Sequence, residues 1–418
     1  MTVDTRRRKS GFDWAPPFPM VAQGMIRRFT LDFLKTEAAS GLVLALAALV
    51  ALLLANSPWR EAYFGFVRAP LTLHLGDWIE TKSILKWTKD GLMAVFFFIV
   101  GLEIKYEILR GELSDRRKLA TPVLAALGGM LVPALIFLAF NLGDGGSPRG
   151  WPIPTATDIA FALAALAIAA PRLPASLRVF LLTLAIADDL GAVALIALLF
   201  SSDLDLVALL GAGVGLLVMV RMARWKRYSA VIFALVFLVV WAFTLMSGVN
   251  TSLAGVAAAL TVPIGAPGED GRLKRYMHAL HPYVAYGVLP FFAFVAAGFA
   301  FDAFPAGGLL APLPLGITAG LVLGKPLGVL GAAALASALK LGDRPTGSTW
   351  LQLLGVSMLC GVGFTMSLFI GGLAFHDGAV AAQVQLGVVT GSLLSVLLGV
   401  ITLRLAQPGV PKLANEVF

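Results

Sequence analysis

Four ionisable residues lie inside long apolar runs of this chain. Asp188 and Asp189 stand side by side in LAIADDLGAVALIALLF, Asp158 follows the proline-broken start of WPIPTATDIAFALAALAI, and Lys325 sits in PLGITAGLVLGKPLGVLG. A charge at the centre of a bilayer costs about 2.5–3.5 kcal/mol on insertion scales, so such residues mark function by default. Three carboxylates and one ammonium would leave two surplus negative charges if all were ionised. A site of that composition takes cations, either protons or metal ions. Asp188 and Asp189 project about 100° apart on a helix and therefore need different partners. Asp158 could serve only as a helix N-cap after Pro152 and Pro154, and Lys325 only as a counter-ion. A cap at mid-membrane already implies a cavity there.

The elements that must carry these residues are membrane helices. The 418 residues are 58% apolar and 13% charged, with a mean hydropathy of +0.87. A soluble domain is nearer a quarter charged. Apolar runs of about 20 residues recur from end to end. They predict about twelve spans, near 34–55, 84–104, 119–140, 151–170, 176–200, 205–221, 228–246, 249–262, 283–301, 312–338, 350–374 and 381–404. Every second connection is basic, including Lys105 to Lys118, Arg221 to Arg227 and Arg272 to Arg275, whereas SSDLDL at 201–206 has no Lys or Arg. The positive-inside rule then puts both termini in the cytoplasm. The net charge of +8 reflects this asymmetry rather than a nucleic-acid partner. The one cysteine, Cys360, excludes an intrachain disulfide framework.

TRRRKSGF and IRRFTLDFLK resemble twin-arginine signals, but neither is followed by an apolar stretch with a clear cleavage site, so both read as cytoplasmic anchoring charge. Residues 1–30 form an N-terminal extension, 31–405 the membrane domain and 406–418 a cytoplasmic tail. The first outward connection, YFGFVRAPLTLHLGDW at 63–78, alternates enough to form a short hairpin.

Gly316, Gly320, Gly324 and Gly328 give the tenth span one glycine face suited to close helix packing. Gly361 and Gly363 in LCGVGFTMSLF interrupt the eleventh span as Pro152 and Pro154 interrupt the fourth. The two interruptions hold corresponding places in the three-span blocks 119–200 and 312–404. Paired broken helices of this kind point to a transporter site built on inverted repeats.

These segments resemble the NhaA family of sodium–proton antiporters. The resemblance covers roughly 30–405 and rests on DGLMAVFFFIVGLEIKYE, PTATDIAFAL, LAIADDLGA, LPLGITAGLVLGKPLG and LCGVGFTMSLFI, in that order. It implies an all-α polytopic fold of twelve helices in which the discontinuous fourth and eleventh cross. A core within 119–200 and 312–404 would move against an interface part within 31–118 and 201–311. It further implies the ion at Asp189, Asp188 essential and able to pair with Lys325, and Asp158 and Thr157 compensating or lining the site. Glu103, Lys105 and Glu107 match a charged cluster associated with pH control, and His278 and His281 match its histidine part. The hairpin resembles a homodimer contact. No cofactor is implied; the cargo would be Na+, Li+ and H+ in a bacterial inner membrane. Asn250 departs from the family where well-known members have histidine, and Met277 where glutamate can occur. Both bear on the pH profile.

Two rivals fit less well. An organic-anion symporter would need more deep cations than Lys325. An intramembrane aspartyl protease needs aspartates on separate helices and usually a GxGD signature, which is absent. A continuous channel does not explain a charged site built to be emptied by protons. HALH, at 278–281, could be a metal pair but has no further ligand in its connector.

Overall fold

The computed structural model describes residues 20–75, 78–111, 116–201, 204–225, 229–266, 271–303 and 307–406, with the side chains of 20–37, 75, 78, 116–119 and 303 outside the description. Apart from one hairpin the elements are helical. They are α1 (Met20–Ala55), α2 (Arg60–Arg68), β1 (Pro70–Leu75), β2 (Trp78–Ser83), α3 (Ile84–Trp87), α4 (Met93–Arg110), α5 (Arg116–Asn141), α6 (Ile159–Ala169), α7 (Ala175–Leu199) and α8 (Leu206–Ala223). There follow α9 (Ala230–Met246), α10 (Ser252–Thr261), α11 (Arg272–Tyr283), α12 (Leu289–Ala297), α13 (Pro312–Ala319), α14 (Lys325–Ala338), α15 (Trp350–Leu359), α16 (Phe364–Ala374) and α17 (Gly378–Leu405).

Among the described residues, seven helical segments are long and apolar enough to cross a membrane, and nine if each of two bent pairs is one span. α9 and α10 are shorter apolar helices. Polar residues in the connections start these helices where the sequence changes character. Asp205, Ser229 and Asp377 accept first-turn amides of α8, α9 and α17, and Thr349 with Gln352 forms a capping box on α15. Each cap satisfies donors that lipid could not.

Three spans carry a π-helical turn in their length: Thr88–Leu92 joins α3 to α4, Val284–Val288 joins α11 to α12, and Gly320–Gly324 joins α13 to α14. For the last, Pro326 has no N–H to offer the carbonyl of Val322, and the ladder widens there.

The glycine face of α13–α14 does what its four-residue spacing requires. Gly316 faces Phe137 and Asn141, Gly324 faces Pro133, and Gly328 lies directly against Gly128, all on α5. A Cβ at Gly328 would run into the Gly128 carbonyl. The same close approach joins α4 to α10, where Gly255 meets the backbone of Ala94.

Two expectations need correction. Residues 63–68 belong to α2, held by the Tyr63 hydroxyl donating to the Phe294 carbonyl at 2.7 Å. The hairpin starts only at Pro70, pairing Leu71 with Lys82 and Leu75 with Trp78 in antiparallel register. Tyr63, Phe64 and Phe66 have β-forming side chains, but their aromatic packing against Phe294 selects helix. The helix leading into the first span also begins earlier than expected, at Met20. Residues 1–19 and 407–418, with Arg6, Arg7, Arg8, Lys9 and Lys412, lie outside the described residues.

Candidate ion-binding site

Two spans break at the same place. Pro148–Thr155 and α6 meet at 43°, and α15 and α16 at 45°. Pro152 and Pro154 end the first segment in 3-10 turns. Gly361 permits the second break by letting the chain approach the Leu321 carbonyl closer than a Cβ would allow. The breaks then satisfy each other's backbone. The Asp158 N–H donates to the Val362 carbonyl at 2.7 Å, and Ser367 donates to the Ile153 carbonyl at 2.7 Å. The Phe364 N–H finds Ser392 Oγ on α17 at 3.1 Å.

Asp158 holds both half-helices. Its Oδ1 accepts the Phe161 N–H at 3.0 Å, which caps α6. Its Oδ2 accepts the Thr365 N–H at 3.1 Å and the Thr365 hydroxyl, at the start of α16. One carboxylate thus faces two helix N-termini, where negative charge is favoured.

Asp188 and Asp189 leave α7 in different directions, as their adjacency demands. Asp188 Oδ2 receives Lys325 Nζ at 2.6 Å, with both side chains fully buried. The Thr157 hydroxyl lies 2.8 Å from the same oxygen and 2.9 Å from the Cys360 carbonyl, and its one proton serves one acceptor at a time. Among the described residues Asp188 Oδ1 has no hydrogen-bond partner. Asp189, 3% exposed, instead lines a cavity of about 570 Å³ with Thr157, Asp158 and Thr365. Breaking a buried ion pair by removing one member leaves an uncompensated charge, which is strongly destabilising. The structure therefore gives Asp188 a fixed partner and leaves Asp189 facing open space.

This arrangement sits in a chain with clear relatives. The sequence model of the family described as Na+/H+ antiporter 1 matches residues 31–403. The chain is 46% identical over 389 residues to the Na(+)/H(+) antiporter NhaA of Rhodospirillum rubrum, covering 90% of this chain and 97% of that one. It is 47% identical over 391 residues to the protein of that name from Albidiferax ferrireducens, at 92% and 99% coverage. With that of Rhizorhabdus wittichii it shares 48% over 379 residues, at 91% and 98%.

The chain belongs to the Na+/H+ antiporter 1 family.

As an antiporter-family member it is a multi-pass membrane protein, and its other candidate residues can be placed on that frame. Glu103, Glu107, His278 and His281 all line the same cavity, together with Met277 and Ser40. Lys105 points elsewhere: its ammonium donates to the Leu260 and Val262 carbonyls, both at 2.6 Å, and so closes the C-terminal end of α10. Asn250 is also apart from the cavity, its Oδ1 accepting the Ser252 N–H at the start of α10. Gly363 packs against Ser367 and Leu321 behind the break. Among the described residues no group of three or more His, Cys, Asp or Glu could hold a metal ion.

Thr365 was the site residue missed from the sequence. It lies within the GVGFTMS stretch that marked the break, and the signal was available: a hydroxyl two residues after the last glycine of a broken span stands in the first turn of the second half-helix.

Proposed function

We propose that this antiporter-family protein expels Na+, and Li+, in electrogenic exchange for protons taken up from outside. The observation that carries the reading is the division of labour on α7: Asp188 is engaged by Lys325 while Asp189 faces the cavity beside Thr157, Asp158 and Thr365. Sodium needs oxygen ligands, and a protonated carboxyl is a poor one, so proton and sodium compete for Asp189. If the site changes sides only when loaded, competition becomes exchange. An Asp188–Lys325 pair that gives up its own proton in the cycle makes the count more than one proton per sodium, and net charge moves. The titrations are coupled, so an apparent midpoint belongs to the group of residues rather than to one.

The part of the cavity lined by Glu103, Glu107, His278 and His281 lies next in sequence to the basic connections and so, under the positive-inside rule, on the cytoplasmic side. On this reading there are twelve passes, both termini are cytoplasmic, and the broken spans cross within a core formed by 119–200 and 312–404. The core moves against an interface part within 31–118 and 201–311. Glu103, Glu107, His278 and His281 tune the response to pH, with Lys105 acting through the end of α10. The hairpin joins two copies.

Everted membrane vesicles, energised to be acidic inside, test this. Added NaCl or LiCl, but not KCl, should raise the internal pH across an alkaline series, and the rate should respond to the membrane potential. No response at any pH would remove the proposal.

A further inference from the structure

A second ammonium stands against the broken spans, and nothing above uses it. Lys89 lies in the π-helical turn before α4 and is partly buried. Its Nζ, Cε and Cδ fill the space where a Cβ on Gly372 would be. Gly372 is two residues from the end of α16 at Ala374. The last turn of a helix presents carbonyls without intrahelical partners and carries the negative pole. Here the Gly371 carbonyl takes the Phe375 N–H, and the ammonium of Lys89 lies against the same turn. The opposite pole of α16 meets Asp158 through Thr365. This eleven-residue half-helix thus has a carboxylate at its positive end and an ammonium on the flank of its last turn, beside Gly372.

The two charges come from different parts of the molecule. Asp158 belongs to the other broken span, whereas Lys89 belongs to the α3–α4 span outside the proposed core. The remaining charged groups near Lys89 do not replace α16 as its partner. Asp90 attracts Lys89 but gives its carboxylate to Lys82 at 2.7 Å, while Lys86 and His376 are basic. The same boundary is closed by apolar rings: Phe369 of α16 packs on Phe97 of α4 at 5.5 Å and on Phe292 of α12 at 6.1 Å between centroids.

We infer that Lys89 is a positioning residue that latches the outward end of α16 and so favours the state in which Asp189 faces the cytoplasmic cavity. This rests on the reading that the core moves against the rest. When α16 moves, the ammonium loses the helix end, so the contact belongs to one state of the cycle. Gly372 is the matching requirement, since any side chain there displaces the Lys89 head.

Removing the latch shifts population without touching the ion site. Apparent affinity scales with the fraction of molecules that face the ligand, so the scarcer outward-facing state gains most. In proteoliposomes, Lys89→Gln should lower the KM for Na+ at the outward face about 3- to 30-fold, with a smaller rise at the inward face. Gly372→Ala should do the same, the double variant should add little, and Lys89→Arg should restore much of the wild-type asymmetry. Unchanged KM values, or values that move together on both faces, would overturn the latch. A second measurement needs no transport: in a Cys360→Ala background carrying Ala374→Cys, Lys89→Gln should speed labelling by an impermeant maleimide from outside. Equal labelling rates would also overturn it. Failure of wild-type exchange in the same liposomes is a separate result, against the function rather than the latch.

Discussion

On the proposed reading Asp189 carries the exchange, because it alone of the α7 pair lines the cavity. Asp189→Asn should abolish sodium-dependent proton release in everted vesicles, and wild-type-like exchange would remove this residue from the site. Lys325 has a different role at the same depth. Lys325→Ala leaves Asp188 buried without its partner, and the expected loss is about 3–5 kcal/mol of stability. A large drop in thermal midpoint in detergent would show it. Asp188→Asn combined with Lys325→Met should recover part of that drop, because no charge is then stranded. Outside the spans, His376 reports on the charges around it. Burial first, then the charges of Lys86, Lys89 and Arg149, hold its imidazole below the ordinary value. Removing one positive neighbour makes protonation easier, so in Lys89→Gln the His376 midpoint should rise toward about 6.5. Histidine-selective NMR would follow it. The four deep ionisable residues were visible in the sequence because lipid makes each one costly. Their pairing was not, since Lys325 and Asp188 are 137 residues apart.

At the scale of elements, close approach decides which helices can pack. Gly328 and Gly128 bring α14 and α5 together, and a Cβ on Gly328 meets a backbone oxygen that cannot turn aside. Gly328→Ala should cost about 1–3 kcal/mol through overpacking, read as a lower unfolding temperature. Gly331→Ala, on the same helix, should leave it unchanged, since nothing lies within 4 Å of that position. The four-residue glycine spacing announced such a face. Which helix it would meet did not follow from it, because α5 carries glycines at adjacent positions, 128 and 129, and its facing side depends on register. The hairpin shows the converse. Its alternation was legible, but residues 63–68 turned helical once Tyr63 found the end of α12.

For the molecule as a whole, the two-stranded hairpin is tied to the helices by Trp87 donating to the Leu71 carbonyl at 2.8 Å and by the Lys82–Asp90 pair, while Leu71 and Ile79 stay about half exposed. A lone ribbon of this kind has open edges suited to pairing with another chain. If the hairpin joins two copies as proposed, replacing residues 71–82 with a short flexible linker should give a monomer by light scattering in mild detergent, while vesicle exchange persists. An unchanged dimer would assign the contact elsewhere.

The sequence by itself determined that this is a multi-pass membrane protein, that two of its helical runs are interrupted and which charges lie inside apolar runs. Those follow from the cost of putting polar groups in lipid, a cost each segment bears locally. Only the tertiary structure decided that one carboxylate of the adjacent pair is held by Lys325 and the other is open, that Asp158 serves two half-helices at once, and that Lys89 meets the end of α16. Those depend on the angle at which two broken helices meet and on rotations of packed helices. Residues far apart in the chain set both together, and no single segment encodes them.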